Sequence, residues 1–96
     1  MDVEHMSNNA DPPRPQTRAF LEGRDRKSFG PDLARLGARI AARRQAIGLS
    51  QTAFAERAGL SRTTVNRVEA GLFDPRVVTL FRLAEALGCD VRELLD

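Results

Sequence analysis

Residues 49–71, which read LSQTAFAERAGLSRTTVNRVEAG, are the part of this sequence that best indicates its fold. The stretch contains two short helical patterns, and each follows a serine that can cap a helix N-terminus, Ser50 and Ser61. Gly59 separates the two patterns, because glycine enters the left-handed backbone region without a Cβ penalty and lets the chain turn sharply. We therefore predict two helices joined by a tight turn, with the second helix at about residues 61–70.

The second of these helices has two unlike faces. At 100° per residue, Val65, Val68 and Glu69 fall on one side of the helix. The other side carries polar side chains that can contact the edges of DNA bases, namely Arg62, Thr63, Thr64, Asn66 and Arg67. The pattern predicts a helix that packs against the protein by one face and binds DNA by the other.

The chain divides into two unequal parts, and this stretch lies within the second. Residues 1–31 hold four of the five prolines and show no sustained periodicity, which is typical of a flexible arm. Within the arm, Phe20 and Leu21 could lie on a brief helical turn. Residues 32–96 form the predicted domain, and its first helix is expected to begin after Asp32 and to end near Ile47.

Two more helical patterns follow the central pair. The loop GLFDPR precedes a helix at about Val77 to Leu87, and Asp90 can cap a last short helix. In that loop, Leu72 and Phe73 either cover the core or contact a second copy of the chain. The fold class is therefore all-α, with five helices and no strand. On the first, fourth and fifth predicted helices, the residues expected to point inward are Leu33, Leu36, Ile40, Ile47, Leu80, Leu83, Ala84, Leu87, Val91, Leu94 and Leu95.

Composition narrows the class of function. Ninety-six residues with 42% hydrophobic side chains suit one small domain, and fourteen of its fifteen basic residues are arginine. A single cysteine, Cys89, cannot form an internal disulfide, and no window resembles a signal peptide or a membrane span. We expect a cytoplasmic protein. One histidine and no glycine-rich phosphate loop or metal-spaced cluster predict no catalysis, no metal and no cofactor.

Four segments stand in the order and spacing of a known family. They read ARRQAIGLSQ, AGLS, VEAG and LAEALGCDVRELL. From about Leu33 to Leu95 the chain resembles the Cro/cI-type, or Xre-family, helix-turn-helix domain of phage repressors and small bacterial regulators. The resemblance implies a lambda-repressor-like bundle of five helices whose second and third helices form the helix-turn-helix, here preceded by the arm.

The resemblance also implies a role for individual residues. Gln51 matches a glutamine that contacts a DNA phosphate beside a helix N-terminus, and Arg76 matches a region that contacts the DNA backbone. Arg44 and Glu69 match an ion pair between the first and third helices, and Arg44 could also reach a phosphate. The implied base-contacting residues are Ser61, Arg62, Thr63, Thr64, Asn66 and Arg67.

Two functions remain open from the sequence. The first is a sequence-specific transcriptional regulator, expected to be a repressor, that binds an inverted-repeat operator in double-stranded DNA as a homodimer. The resemblance implies that two copies pair through residues 73–76 and 91–95, and a monomer that pairs only on DNA is the alternative. The second is an antitoxin or other interaction module that binds a toxin-like protein partner through residues 1–31 and represses its own promoter.

Overall fold

The structure is a computed structural model, which describes the backbone of residues 15–96 and the side chains of residues 28–96. All regular elements in this part of the chain are α-helices. They are α1 (Pro15–Ala46), α2 (Gln51–Ala58), α3 (Arg62–Glu69), α4 (Val77–Leu87) and α5 (Val91–Leu95). The predicted all-α architecture of five helices is confirmed for the described residues.

The first helix is longer than the sequence pattern predicts. It begins at Pro15 and contains Pro31, so the predicted helix start after Asp32 is wrong. Residues 15–31, which were expected to belong to the arm, are helical. Proline removes one backbone hydrogen bond, and this made a boundary at Pro31 plausible. The preceding sequence TRAFLEGRDRK consists mostly of good helix formers, and adding residues to an existing helix needs no new nucleus. The rest of the expected arm, residues 1–14, lies outside the described residues.

Every helix contributes between one and four buried apolar side chains to the core. Its largest fully buried members are Phe54, Ile40, Leu83, Leu94, Val65 and Val68. Two residues predicted to point inward, Ile47 and Leu95, are instead exposed. Ile47 follows the last residue of α1, where the chain leaves the helix, and Leu95 lies at the end of a five-residue helix that buries only Leu94.

A glycine on α1 lets two helices approach closely. A Cβ added at Gly37 would lie 2.3 Å from the carbonyl oxygen of Val68 and 2.6 Å from that of Glu69. Any side chain at this position would overlap the backbone at the end of α3. Gly37 therefore sets the distance between α1 and α3, and with it the position of α3 in the bundle.

The last helix begins with a reciprocal cap. The Asp90 carboxylate accepts a hydrogen bond from the backbone N–H of Arg92, and the Glu93 carboxylate accepts one from the backbone N–H of Asp90. The side chain of Arg92 also donates to Asp90, and these hydrogen bonds lower the pKa of that carboxyl. The cap directs α5 back onto α1, where Leu94 completes the core.

Candidate nucleic-acid interface

The turn between α2 and α3 is built from glycine and hydrogen-bonded backbone. Gly59 has φ 72°, in the left-handed region, and ends α2. Its N–H donates to the carbonyl of Glu56, and the next N–H, of Leu60, donates to the carbonyl of Ala55 over 2.8 Å. This pair of bonds is a Schellman motif, which satisfies the last carbonyls of the helix while reversing the chain. The half-buried Leu60 packs against the core beside it.

The third helix begins at a side-chain cap. Ser61 Oγ accepts a hydrogen bond from the backbone N–H of Thr64 over 3.1 Å, and the two hydroxyl groups lie 2.9 Å apart. Both hydroxyls therefore already have a partner within the protein. Ser61 and Thr64, which the resemblance assigns to base contacts, serve here to start α3 and to orient its first turn.

The two faces of α3 differ as the sequence predicts. Val65 and Val68 are buried against the other helices. The side chains of Arg62, Thr63 and Arg67 are exposed and form no hydrogen bond or ion pair with any residue in the range 28–96. Guanidinium groups without a protein partner keep all five N–H donors available for an external ligand. This exposed face is the candidate base-reading surface.

Arg44 and Glu69 join the first and third helices. Arg44 Nε lies 2.7 Å from Glu69 Oε2, and Arg44 Nη2 lies 3.0 Å from Glu69 Oε1, so the pair is bidentate. The side chains are only 11% and 6% exposed, and the hydrogen bond to Glu69 raises the pKa of Arg44, while burial opposes the rise. Arg44 Nη1 also donates to the carbonyl of Leu49. Each of the three guanidinium nitrogens donates one hydrogen bond within the protein, so Arg44 joins α1 to α3 and to the loop before α2.

Gln51 belongs to the same chain of side chains. Its Nε2 donates to Glu69 Oε1 over 3.0 Å, and its Oε1 accepts from Asn66 Nδ2 over 3.4 Å. The chain Arg44–Glu69–Gln51–Asn66, which we call the interhelix network, therefore links α1, α2 and α3. Sequence patterns contain no sign of the bonds to Gln51, because the partners are 15 and 18 residues apart. Asn66, which was expected to contact a base, is exposed and donates one hydrogen bond to Gln51.

An exposed apolar surface follows α3 in the chain. Leu72 is 78% exposed and Val78 is 62% exposed, and Val77 and Phe81 extend the same surface along α4. We call these four residues the α4 apolar surface. Arg76 is exposed directly before α4. Leu72 does not cover the core, and Phe73 is also partly exposed.

Other charged and reactive groups have structural surroundings. Arg35, Arg43 and Arg92 form exposed ion pairs with nearby carboxylates. Burial raises the pKa of the Cys89 thiol, although the charge of Arg43 partly opposes the rise, and the side chain packs against the core. No group of acidic, cysteine or histidine side chains in the described residues could hold a metal ion. None of the described helices is long and apolar enough to cross a membrane.

Two capped helices around a glycine turn, with a polar face on the second, define a DNA-binding helix-turn-helix domain. Residues 40–94 match the helix-turn-helix family. The chain belongs to the Xre-type helix-turn-helix family of DNA-binding transcriptional regulators, whose members are generally not enzymes. The predicted family and the lambda-repressor-like fold are thus confirmed.

Relatives support this assignment over most of the domain. The chain is 40% identical to an uncharacterized HTH-type transcriptional regulator of Methanothermobacter thermautotrophicus over 45 residues, which span 47% of this chain and 65% of that protein. It is 37% identical over 70 residues to an uncharacterized HTH-type transcriptional regulator of Sinorhizobium fredii, covering 73% of this chain and 82% of the relative.

A solved structure has the same fold. The restriction-modification controller protein C.AhdI from Aeromonas hydrophila superposes with a TM-score of 0.66 and 41% sequence identity. The match covers 67% of this chain and 97% of C.AhdI.

Proposed function

We propose that this regulator is a repressor that binds an inverted-repeat operator as a homodimer, with α3 in the major groove. The observation that supports the proposal is the exposed face of α3, where Arg62, Thr63 and Arg67 have no partner in the range 28–96. Two copies would place their α3 helices in successive major grooves, about 34–36 Å apart. Such a protein acts in the cytoplasm, where it can cover a promoter.

The chemistry of this face suits direct reading of bases. An arginine can donate two parallel hydrogen bonds to guanine O6 and N7, and threonine combines a hydroxyl with a methyl group that contacts thymine. Each well-aligned bidentate contact discriminates against the wrong base by about 1–3 kcal/mol. We assign the base contacts to Arg62, Thr63 and Arg67, with Ser61 and Thr64 at the margin because their hydroxyls cap α3.

Phosphate contacts would hold α3 at a fixed position relative to the DNA bases. Gln51 is the first residue of α2, where backbone N–H groups without helical partners favour an anion. Arg76 lies at the start of α4 and is exposed. These contacts position the protein on DNA without reading sequence.

Selection from a random DNA library tests the proposal directly. The purified full chain would be incubated with the library at about 150 mM salt, which suppresses purely electrostatic association. Enrichment of an inverted repeat with half-sites one helical turn apart supports a dimeric sequence reader. Weak, salt-sensitive binding without enrichment contradicts it. Because C.AhdI is a restriction-modification controller protein, genes of that kind are the first place to search for the selected operator.

Substitutions at the two kinds of contact should separate reading from positioning. We expect Arg67→Ala to relax base preference at one position of each half-site, because only the guanidinium contacts that base. Gln51→Ala should instead weaken binding to all sequences by a similar factor. Repeating the selection with each variant measures both effects. A uniform loss of affinity in both variants would show that α3 is not the reading helix.

The α4 apolar surface is the proposed dimer contact. Clustered exposed apolar side chains mark protein interfaces, and three of these four side chains lie on one side of α4, directly after Arg76. We expect Val78→Glu to raise the dimer dissociation constant about tenfold or more, because two carboxylates would be buried at a two-fold axis. Analytical ultracentrifugation measures this change. Gln45→Glu, which adds a charge at an exposed position of α1, is the control and should leave the dimer intact. An unchanged dissociation constant in Val78→Glu would mean that the dimer contact lies elsewhere.

A further inference from the structure

The exposed side chain of Asn66 has a hydrogen-bond partner on a second helix. Its Nδ2 donates to Gln51 Oε1 over 3.4 Å, and Gln51 Nε2 in turn donates to Glu69 Oε1 over 3.0 Å. Glu69 is held from its other side by Arg44. The outermost member of the interhelix network is therefore a residue on α3, and the member that it contacts is the first residue of α2.

The interhelix network selects one orientation of the Gln51 amide. A carboxylate can only accept hydrogen bonds, so Glu69 requires the NH2 group of Gln51 to face it. Asn66 supplies the donor that the Gln51 carbonyl oxygen then needs. A reversed Gln51 amide would place its oxygen against the Glu69 carboxylate, so the bond to Glu69 would be lost. The bonds to these two neighbours use one of the two Nε2–H groups of Gln51 and leave the other for an external acceptor.

We propose that Asn66 is a positioning residue, which holds the Gln51 amide so that its remaining N–H points at a DNA phosphate oxygen. This inference rests on the proposed function, in which Gln51 contacts a phosphate. It replaces the expectation that Asn66 contacts a base. Holding the donor in place before DNA arrives lowers the entropy lost on binding.

A double-mutant cycle measures this role. The affinities of Asn66→Ala, Gln51→Ala and the double variant would be determined for the selected operator and for operators changed at one position of each half-site. We expect Asn66→Ala to lower affinity for all of them by about two- to tenfold, the range of one net hydrogen bond. The double variant should bind no more weakly than Gln51→Ala alone, because Asn66 acts only through Gln51.

The control cycle pairs Gln51→Ala with Arg67→Ala. These side chains form no hydrogen bond with each other, so their effects should multiply. If the effects of Asn66→Ala and Gln51→Ala also multiply, or if Asn66→Ala relaxes base preference at one position, Asn66 is a base reader and the proposal is wrong.

A measurement without DNA separates this inference from the proposed function. In the nuclear magnetic resonance spectrum of the free protein, Asn66→Ala should move the side-chain amide resonances of Gln51 toward those of an unrestrained glutamine. Thr63→Ala, on the same exposed face, should leave them in place. Unchanged Gln51 resonances in Asn66→Ala overturn the positioning role. If the wild-type chain selects no operator, the proposed function is refuted. The Gln51 amide resonances of the free protein would still test the role of Asn66.

Discussion

Replacing Gly37 by alanine should lower the free energy of unfolding by about 3 kcal/mol, at the upper end of the usual cost of overpacking. The added Cβ would lie 2.3 Å from the carbonyl oxygen of Val68, which belongs to the helix backbone and cannot rotate away. Relief of the overlap requires α3 to move away from α1 as a unit. The stability loss should therefore come with weaker DNA binding, because the same displacement moves the reading face.

Chemical denaturation of the wild type and of Gly37→Ala measures this effect. Gly30→Ala is the matched control on the same helix, because a Cβ at Gly30 meets no atom within 4 Å. Alanine favours helix more than glycine does, but Pro31 follows this position, so we expect the control to stay within about 1 kcal/mol of the wild type. Equal stability of Gly37→Ala and the wild type would show that α1 and α3 are not packed this closely.

The second large effect is expected for Glu69→Ala. Glu69 accepts two hydrogen bonds from Arg44 and one from Gln51. Its loss leaves the guanidinium of Arg44, only 11% exposed, without an opposite charge. Breaking a fully buried pair costs about 3–5 kcal/mol, and because one edge of this pair reaches solvent we expect about 2–3 kcal/mol. DNA affinity should fall as well, since Gln51 loses the partner that orients it.

Thermal or chemical unfolding of Glu69→Ala measures the predicted loss in the free energy of unfolding. Asp32→Ala is the control, because Asp32 pairs with Arg35 at the surface, where such pairs contribute about 0–1 kcal/mol. Added salt distinguishes the two variants further, because screening should remove the small effect of Asp32→Ala but leave most of that of Glu69→Ala. A loss in Glu69→Ala no larger than in the control would mean that the buried pair adds nothing to the fold.

Local signals predicted the centre of the domain. Ser50 and Ser61 were identified as helix caps and Gly59 as the turn, and all three have these roles in the structure. The division of α3 into a buried and an exposed face also follows from spacing. These features depend on hydrogen bonds and side-chain directions that repeat within three or four residues, so a short stretch of sequence contains the information.

The same local signals gave the wrong boundary for α1. Pro31 and Asp32 together are typical of a helix start, yet the helix runs through them from Pro15. One missing hydrogen bond weakens a helix without necessarily ending it. Periodicity was also insufficient at the ends of helices, where Ile47 and Leu95 are exposed because no neighbouring element in the described chain covers them.

The positions of the turns and the polar face of α3 follow from local sequence, because caps, glycine turns and periodicity act between near neighbours. The close approach of α1 to the end of α3 at Gly37, and the hydrogen bond from Asn66 to Gln51, arise only when the helices pack together. Those contacts join residues that are 15 or more positions apart. They exist only once the helices have packed, since their distances are set by the relative placement of helices and not by the conformation of any one of them.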